Sequence, residues 1–527
     1  MSERRVPVLV VGGSLVGLST SVLLADQGVE HLLVESHSGT AIHPRAASFH
    51  QRTMEIFRSV GMQEVVEAAA ADEFKQNGAI VAVESLGGKE LMYFFRSFND
   101  GVEDLSPTAR LFITQVGLEP VLRRRAAELG AEHLFGTELV SFEQHDDHVS
   151  AVLRPRGGGP EQRVTADYLV AADGAHSSVR EQLGIPMAGR GSFADCITIY
   201  FKADVNPLIG ERNLSVVYVN HPELLGFFRF SITGDSGFLA VFATMGPDGS
   251  RNTQVGEDVS VERCIELVRT ALGGPADLPV DVESVQRWSA EAATAEAFRS
   301  GRVFLVGDSA HVMPPTGGFG GNTGLADAHN LAWKLALVHR GVAGPGLLDS
   351  YDPERRPISG LTVEQAYSRY VLRVDPSLPQ DDLQPPMDEP SIELGAIYRS
   401  SAVHASEVPE QELDNPREQN WTVGARVPHL VLADDEGPTS TVDLGGPGFA
   451  LLVTDASSDW TGAAAAATES LRLPITVHTV DPETTGWRGA ALIRPDGVLA
   501  WKTTDPAGVG ELDDVLRGLL SLEPTDG

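Results

Sequence analysis

The chain carries Gly12-Gly13-Ser14-Leu15-Val16-Gly17 directly after the apolar run 6–11, and Glu35 closes a second apolar run at 32–34. A strand, a tight glycine turn, a helix start and an acidic residue in that order can cradle a dinucleotide pyrophosphate on backbone N–H groups. The carboxylate can hold a ribose hydroxyl. The candidates for the cradle are Gly12, Ser14, Leu15, Val16 and Gly17, with Glu35 for the ribose. Ser14 stands where the Gly-x-Gly-x-x-Gly pattern has its middle glycine. Its N–H stays available, but its side chain is expected to crowd the pyrophosphate slightly. Three more stretches hold chemistry-bearing residues: Asp173-Gly174, Gly307-Asp308 at the end of an apolar strand, and the glycine-rich run 317–324 that feeds a helix. A run of that kind offers several unpaired N–H groups to one point. Taken singly, each has a plain reading: a β-turn for Asp173-Gly174, a helix cap for Asp308, a flexible loop for the glycines.

Composition narrows the classes. With 527 residues the chain is too long for one core and suggests two or three domains. A net charge of -33 repels nucleic acid and anionic lipid, so neither is an expected partner. Cys196 and Cys264 are far apart and in no metal or disulfide spacing, which suits a reducing cytoplasm with both thiols packed as small apolar groups. Arg4 and Arg5 precede an apolar run, but it stops at Gly12-Gly13 without a small-residue cleavage pattern, so no signal peptide is expected. No stretch reaches the ~18 consecutive apolar residues of a membrane span.

The elements that would position these residues follow from periodicity. Residues 6–35 read as strand–helix–strand, with Val16, Leu18, Val22, Leu23 and Leu24 carrying the helix. A helical stretch after Pro44 spans 44–70, strands fall within 77–115, and a further helix covers 118–129. The stretch 187–290 turns β-rich, with strands at 197–203, 214–219, 227–232 and 238–244 and a helix near 260–272. A buried strand at 301–307 and a long helix over about 321–340 follow. Residues 374–390 are rich in Pro, Asp and Gln, as in a linker, and 425–527 form a separate α/β pattern with a hairpin turning at Pro495-Asp496-Gly497.

Together, the segments at 12–17, 169–180 and 301–311 resemble the three fingerprints of flavoprotein monooxygenases that use one FAD-binding domain, over about the first 370 residues. The chain is more closely similar to the aromatic polyketide hydroxylases. The shared features are the Pro-Pro-Thr-Gly-Gly loop at 314–318, Tyr218 followed by His221-Pro222-Glu223, Tyr370-x-x-Arg373, and Tyr398-Arg399-Ser400-Ser401. The resemblance implies an α/β fold with a Rossmann-like FAD-binding domain in two parts, 1–186 and 291–373. An inserted β-sheet substrate domain at 187–290, a linker at 374–424 and a thioredoxin-like domain at 425–527 complete it. That last region contains no cysteine, so thiol redox chemistry is excluded there.

The same resemblance implies roles. Asp308 would accept from the flavin ribityl chain, and Asp173 would lie near the pyrophosphate and take part in NAD(P)H handling. Gly318, Gly320, Gly321 and Asn322 would face the flavin pyrimidine edge, where the helix dipole stabilises the reduced anion. Arg45 and Gln115 would contact FAD, and Leu139 would touch its adenine end. Arg52 reads as a helix salt-bridge residue. No second glycine-rich dinucleotide fold follows residue 150, which suits NADPH or NADH visiting the flavin transiently. The Trp-x-Trp-x-Ile-Pro signature of flavin halogenases is absent.

The implied reaction is hydroxylation of a polycyclic aromatic polyketide phenol, anthracyclinone- or angucyclinone-like, using O₂ through a flavin C4a-hydroperoxide. A phenolate reacts faster than a phenol, and the fixed charge of Arg373 can lower a phenol's pKa; a helix-surface arginine is the plain alternative. Tyr218 can hydrogen-bond the substrate or be a core strand tyrosine. Phe227, Phe228, Phe230, Phe238 and Phe242 are expected to roof the pocket, although alternating aromatics are also ordinary core. His221 and the run His145-Asp146-Asp147-His148 read as loop residues, and no metal spacing exists. The rival readings are a flavin oxygenase of another outcome (Baeyer–Villiger insertion, epoxidation, antibiotic inactivation) and a non-catalytic flavin-binding subunit. The chain is expected to act as a monomer or homodimer.

Overall fold

The computed structural model describes all residues except 1–2, 43–46, 246–249, 258, 406–408, 435–436, 455–458 and 524–527. A parallel sheet lies at the centre of the first domain, in the order Val303–Leu305, Gln162–Ala171, Glu3–Val11, His31–Glu35, Glu132–Phe135. Its strands are near-continuous apolar runs because both faces are covered, as a parallel sheet requires. The helices Leu15–Asp26 and Phe319–His339 pack against each other on it. Their closest approach allows no side chain: a Cβ on Gly324 would lie 2.6 Å from Val16 Cγ2 and 3.0 Å from Gly307 Cα. Three sequence-distant glycine segments are thereby held against one another.

A nine-stranded sheet forms the second layer. Its order is His311–Val312, Asp281–Ala295, Met187–Lys202, Ser236–Met245, Leu224–Phe230, Leu214–His221, Ala79–Val83, Glu90–Phe95, and the ninth strand, Arg251–Asn252, pairs with Ser236–Met245 off this path. The β-rich stretch 187–290 is therefore not a self-contained insert. The strands Ala79–Val83 and Glu90–Phe95 come from the first domain's sequence, and Ala79–Val83 pairs parallel with Leu214–His221. Alternation sorts the residues. Val217, Val219, Phe228, Phe230, Leu239 and Val241 form one core under the helix Val261–Leu272. Phe227, Phe242 and Trp288 face the other way, against Tyr370 at the end of the helix Tyr351–Arg373. The expected helix over 44–70 is two helices, Gln51–Ser59 and Gln63–Glu73, broken at Gly61 where φ is +68°.

Residues 374–424 do not behave as a linker. They wrap the domain junction as a packed strap containing the helix Glu389–Leu394, with Val374, Ile392, Leu394, Ile397, Tyr398 and Ala402 buried. The C-terminal sheet has the order Ile475–Thr479, Phe449–Val453, Ala490–Ile493, Leu499–Thr503. The first two strands are parallel across the helix Trp460–Leu471, and the last two form the hairpin at 494–498. This β-α-β/β-β-α order is the thioredoxin-like arrangement. The domain shares one core with the first: Trp333, Leu337 and Leu347 pack among Phe449, Leu451, Trp460, Trp501 and Leu516.

Buried ion pairs cross the same junction. Arg494 binds Glu354 at 2.7 Å, with both side chains at 0% exposure, and Arg426 of the C-terminal side pairs with the buried Glu55. No helix among the described residues is long and apolar enough to cross a membrane.

Two expectations follow. Gly324→Ala should destabilise the protein by about 1–3 kcal/mol through overpacking, read as a lowered melting midpoint. Adding Val16→Ala should recover part of that loss, because it removes the clashing methyl. The second concerns acid. Burial pushes Glu55 up from its ordinary 4.5, but the charges of Arg426 and Arg52 outweigh it and hold the carboxyl at about 2. Its contribution is therefore complete above pH 4.5 and is lost as pH falls towards 2. Thermal melts over that range should show the loss, and Glu55→Gln should remove its share of the slope.

Candidate active site

At the nucleotide turn the backbone itself makes the cradle. Gly12 has φ +105°, and a Cβ there would lie 2.2 Å from the Ala172 carbonyl oxygen. The helix Leu15–Asp26 begins just beyond, so the first-turn N–H groups of Leu15, Val16 and Gly17 have no partner within the helix. Glu35 accepts from the Gly13 N–H at 2.6 Å and from the His37 N–H at 2.7 Å. Burial pushes this carboxyl up, but those N–H donors and the His37 ring bring it below the ordinary range. It stays charged at neutral pH, as a ribose-binding carboxylate needs.

Ser14 departs from expectation. Its hydroxyl donates to Glu119 at 2.6 Å, and Gln115 Nε2 donates to both Ser14 Oγ (3.2 Å) and Glu119 (3.1 Å). Glu119 also accepts from the Ala41 N–H at 2.7 Å and is fully buried. The serine hydroxyl is thus tied to the helix Gln115–Glu128, and Gln115 stands beside the cradle. Glu119 went unnoticed in the sequence; its signal was a lone acid on the buried face of that helix. Leu139, in the strand Thr137–Gln144, packs against the first-domain core. Arg45 lies outside the described residues.

Asp173 is occupied locally. Its carboxylate accepts from Ser177 Oγ at 2.5 Å and from the Val179 N–H at 3.1 Å, clasping the short helix Ser178–Gln182. From that helix Arg180 reaches the Ser309 carbonyl at 2.9 Å, so the second fingerprint braces the third. Asp308 is exposed while Gly307 and Ser309 on either side are buried, so its carboxylate lies at the surface of the turn. The turn itself is set by Asp327, which is fully buried. It accepts from the Gly307 N–H at 3.0 Å, from His311 Nε2 at 2.7 Å and from Arg355 Nε at 2.8 Å. Asp327 too was missed, although an acid set between apolar neighbours in that helix was the available sign.

The glycine run 317–321 ends in the helix Phe319–His339, with Gly318 as its left-handed cap at φ +69°. Gly320 and Gly321 fall in its first turn, with N–H groups free of intrahelical partners. Asn322 does not offer its side chain to a ligand. Its Oδ1 accepts from the His50 N–H (2.9 Å) and Thr53 Oγ1 (2.7 Å), and its Nδ2 donates to the Ser48 and Gly318 carbonyls. It locks the loop to residues 48–53.

Across the fold, Arg373 and Tyr218 come together. Arg373 is the last residue of its helix, and its positive charge acts on the Tyr218 hydroxyl. Its guanidinium lies 5.0 Å from the Phe94 ring and 3.5 Å from Glu389. It is therefore not a helix-surface arginine. Tyr218 is half-buried and meets Phe94 edge-on at 5.5 Å and Phe227 at 6.0 Å. Burial pushes its phenol up despite Arg373, so it is a neutral hydrogen-bonding group. Glu389 also lies 3.7 Å from Arg369, whose guanidinium is 5.2 Å from the ring of Phe319. That chain of contacts joins the glycine loop to the tyrosine–arginine pair. Phe94 and Glu389 were missed because they come from the edge strand and the strap.

Of the five phenylalanines expected above the pocket, Phe227, Phe238 and Phe242 lie on this face of the sheet, Phe227 meeting Phe238 at 5.6 Å and Phe242 at 5.7 Å. Phe228 and Phe230 are in the opposite core, one residue out of phase. Arg52 forms the expected helix pair with Glu55 at 3.0 Å and also donates to the Asp496 carbonyl. His145 and His148 stack on a hairpin at 4.3 Å, and no metal-holding cluster occurs among the described residues.

These features fit FAD: two helix N-termini free of side chains, a charged carboxylate beside the first, and an exposed carboxylate at a glycine turn between them. The family description "FAD binding domain" matches residues 5–366, and "Aromatic-ring hydroxylase, C-terminal" matches 420–521. The chain is 45% identical to a 4-methyl-5-nitrocatechol 5-monooxygenase of Burkholderia sp, covering 98% of each chain. It is 38% identical to aklavinone 12-hydroxylase RdmE of Streptomyces purpurascens, over 99% of this chain and 100% of that one. A crystal structure of aklavinone-11 hydroxylase in ternary complex with FAD and aklavinone superposes with a TM-score of 0.92 at 37% identity, covering 99% of this chain and 100% of that one. Helix-borne N–H cradles at one end and an aromatic-ring hydroxylase module at the other thus lie in one chain, which belongs to the FAD-dependent aromatic-ring hydroxylases.

Proposed function

We propose that this hydroxylase acts on a phenolic ring of a polycyclic aromatic polyketide, bound between the Tyr218–Arg373 pair and the flavin. The observation that carries the reading is the placement of Arg373 among Tyr218, Phe94 and Glu389 on an aromatic sheet face. FAD, reduced by NADPH or NADH, supplies the activated oxygen from O₂ when bound. Phe94 and Phe227, the latter backed by the buried Phe242, offer apolar surface to a flat ring system and keep water from it. Arg373 holds a positive charge at the edge of that surface, which favours ionisation of a substrate phenol. Tyr218 keeps its proton and donates it in a hydrogen bond to the substrate oxygen.

In this reading the N–H groups of Leu15, Val16 and Gly17 take the pyrophosphate, with Gly12 and Ser14 shaping the turn and Gln115 alongside. Glu35 takes a ribose hydroxyl, Asp308 the ribityl chain, and Gly318, Gly320 and Gly321 present the loop to the pyrimidine edge. Leu139 borders the adenine, Arg45 adds a cation, and Asp173 acts by holding the helix that braces Ser309. Both sites lie within one chain, so a monomer or homodimer in the cytoplasm suffices. Sedimentation would separate those two states.

The 45% identity to a nitrocatechol monooxygenase favours a second reading, a single acidic nitrophenolic ring. The same Arg373 charge would serve it. NADPH oxidation and product mass across anthracyclinone, angucyclinone and nitrocatechol phenols separate the two: tight coupling to product for one class alone identifies it. Arg373→Met should lower kcat/KM by roughly 10²–10³-fold while FAD stays bound, and Arg373→Lys should restore part of the loss. In Arg373→Met the rate should climb with pH through the substrate's own phenol pKa. Unchanged turnover would remove Arg373 from the mechanism.

A further inference from the structure

The hairpin turn Arg494-Pro495-Asp496-Gly497 of the C-terminal domain enters the first domain and is buried there. Arg494 is 0% and Asp496 2% exposed. Arg494 donates to both oxygens of Glu354 at 2.7 and 3.0 Å and to Asp496 at 2.9 and 2.5 Å. Glu354 also accepts from Asn330 at 2.6 Å and Lys334 at 2.8 Å, and Asn330 stands 3.5 Å from Asp496. Asn330 and Lys334 lie on the helix Phe319–His339, on the same buried side as Asp327. Arg355, next to Glu354, carries the hold onward by donating to Asp327 and to the Thr323 carbonyl. A second route reaches the other side of the glycine loop. Arg426 clamps Glu55 on the helix Gln51–Ser59, whose start at His50 and Thr53 donates to Asn322.

We propose that the C-terminal domain is a component of the flavin site. Its Arg494–Asp496 turn and Arg426 act as positioning residues that fix the register of the glycine-loop helix against the Gly307-Asp308 turn. The inference rests on the FAD binding of the family and not on the substrate reading above. Glu354, Lys334, Arg494 and Asp496 balance as two carboxylates and two cations in a site at most 2% exposed. Such a cluster is stable in one arrangement only, because any shift leaves a buried charge without its partner. That is a demanding way to join two domains when an apolar core already joins them. It fits a requirement for one helix position, which is what a loop presenting N–H groups to a ligand imposes. The domain has no cysteine with which to do the redox chemistry of its fold.

Coupling between two sites is reciprocal, so if the turn holds the flavin helix, the flavin must hold the turn. In hydrogen exchange on the full-length wild-type protein, adding FAD to the apoprotein should slow exchange of amides at 491–499 as well as at 317–324. Unchanged exchange at 491–499 would overturn the proposal. Arg494→Met should raise the FAD dissociation constant at least tenfold, measured by flavin fluorescence quenching. Arg494→Met combined with Glu354→Gln removes one charge of each sign, which restores folding but not the hold. FAD binding in that variant should remain at least tenfold weaker, with an altered flavin absorption band. A folded double variant with wild-type FAD affinity would make the turn an ordinary domain contact. The wild-type exchange measurement decides the matter if neither variant folds.

Discussion

Asp327 is buried in the middle of the helix Phe319–His339, and it accepts from the Gly307 N–H, His311 and Arg355. A carboxylate removed from water costs several kcal/mol unless its partners are all in place. The helix Phe319–His339 therefore has one permitted register against the turn that carries Asp308. The steric fit is equally narrow: Val16, Gly307 and Gly324 meet where no Cβ could enter. Electrostatics and packing agree on a single arrangement of the three glycine segments. That arrangement holds the first turns of the helices Leu15–Asp26 and Phe319–His339 and the Gly307-Asp308 turn together.

The partners of Asp327 extend the constraint outward. Arg355 donates to the Tyr398 hydroxyl of the strap at 2.8 Å, and its neighbour Glu354 is bound to Arg494 of the C-terminal domain. The strap also carries Glu389, which lies between Arg369 and Arg373. Arg355, tied to the Gly307 turn through Asp327, and Arg373, beside Tyr218, thus lie on one helix, Tyr351–Arg373, held from both ends. The nine-stranded sheet completes the surroundings of Tyr218 by alternation. One face is a hydrophobic core under a helix, and the other presents Tyr218 and aromatic rings to the end of that long helix.

The nucleotide fingerprints were legible because they depend on local backbone chemistry: a strand, a glycine where φ is positive or the chain is crowded, a helix start. Glu35 lies beside the glycine turn, Gly307-Asp308 follows the strand Val303–Leu305, and the two separately singled-out residues Arg373 and Tyr218 lie near each other. Less legible were the residues that work by being buried and paired. Glu119, Asp327 and Glu354 read as ordinary helix acids until their partners, far away in the chain, are known. Asp173 and Asn322 were singled out for the ligand, yet their side chains are spent on Ser177, Val179 and residues 48–53. Phe228 and Phe230 failed as pocket residues because strand alternation fixes sides only once the register is fixed.

The sequence by itself determined the nucleotide turn, the apolar parallel strands and the absence of thiol chemistry in the last domain. Each follows from residue type and short-range spacing. Tertiary structure alone decided that strands 79–83 and 90–95 complete the second sheet, that 374–424 is a packed strap, and that the 494–497 turn is buried against the helix Phe319–His339. Those outcomes rest on pairing edges and charges across hundreds of residues. No local propensity encodes which buried cation will meet which buried carboxylate.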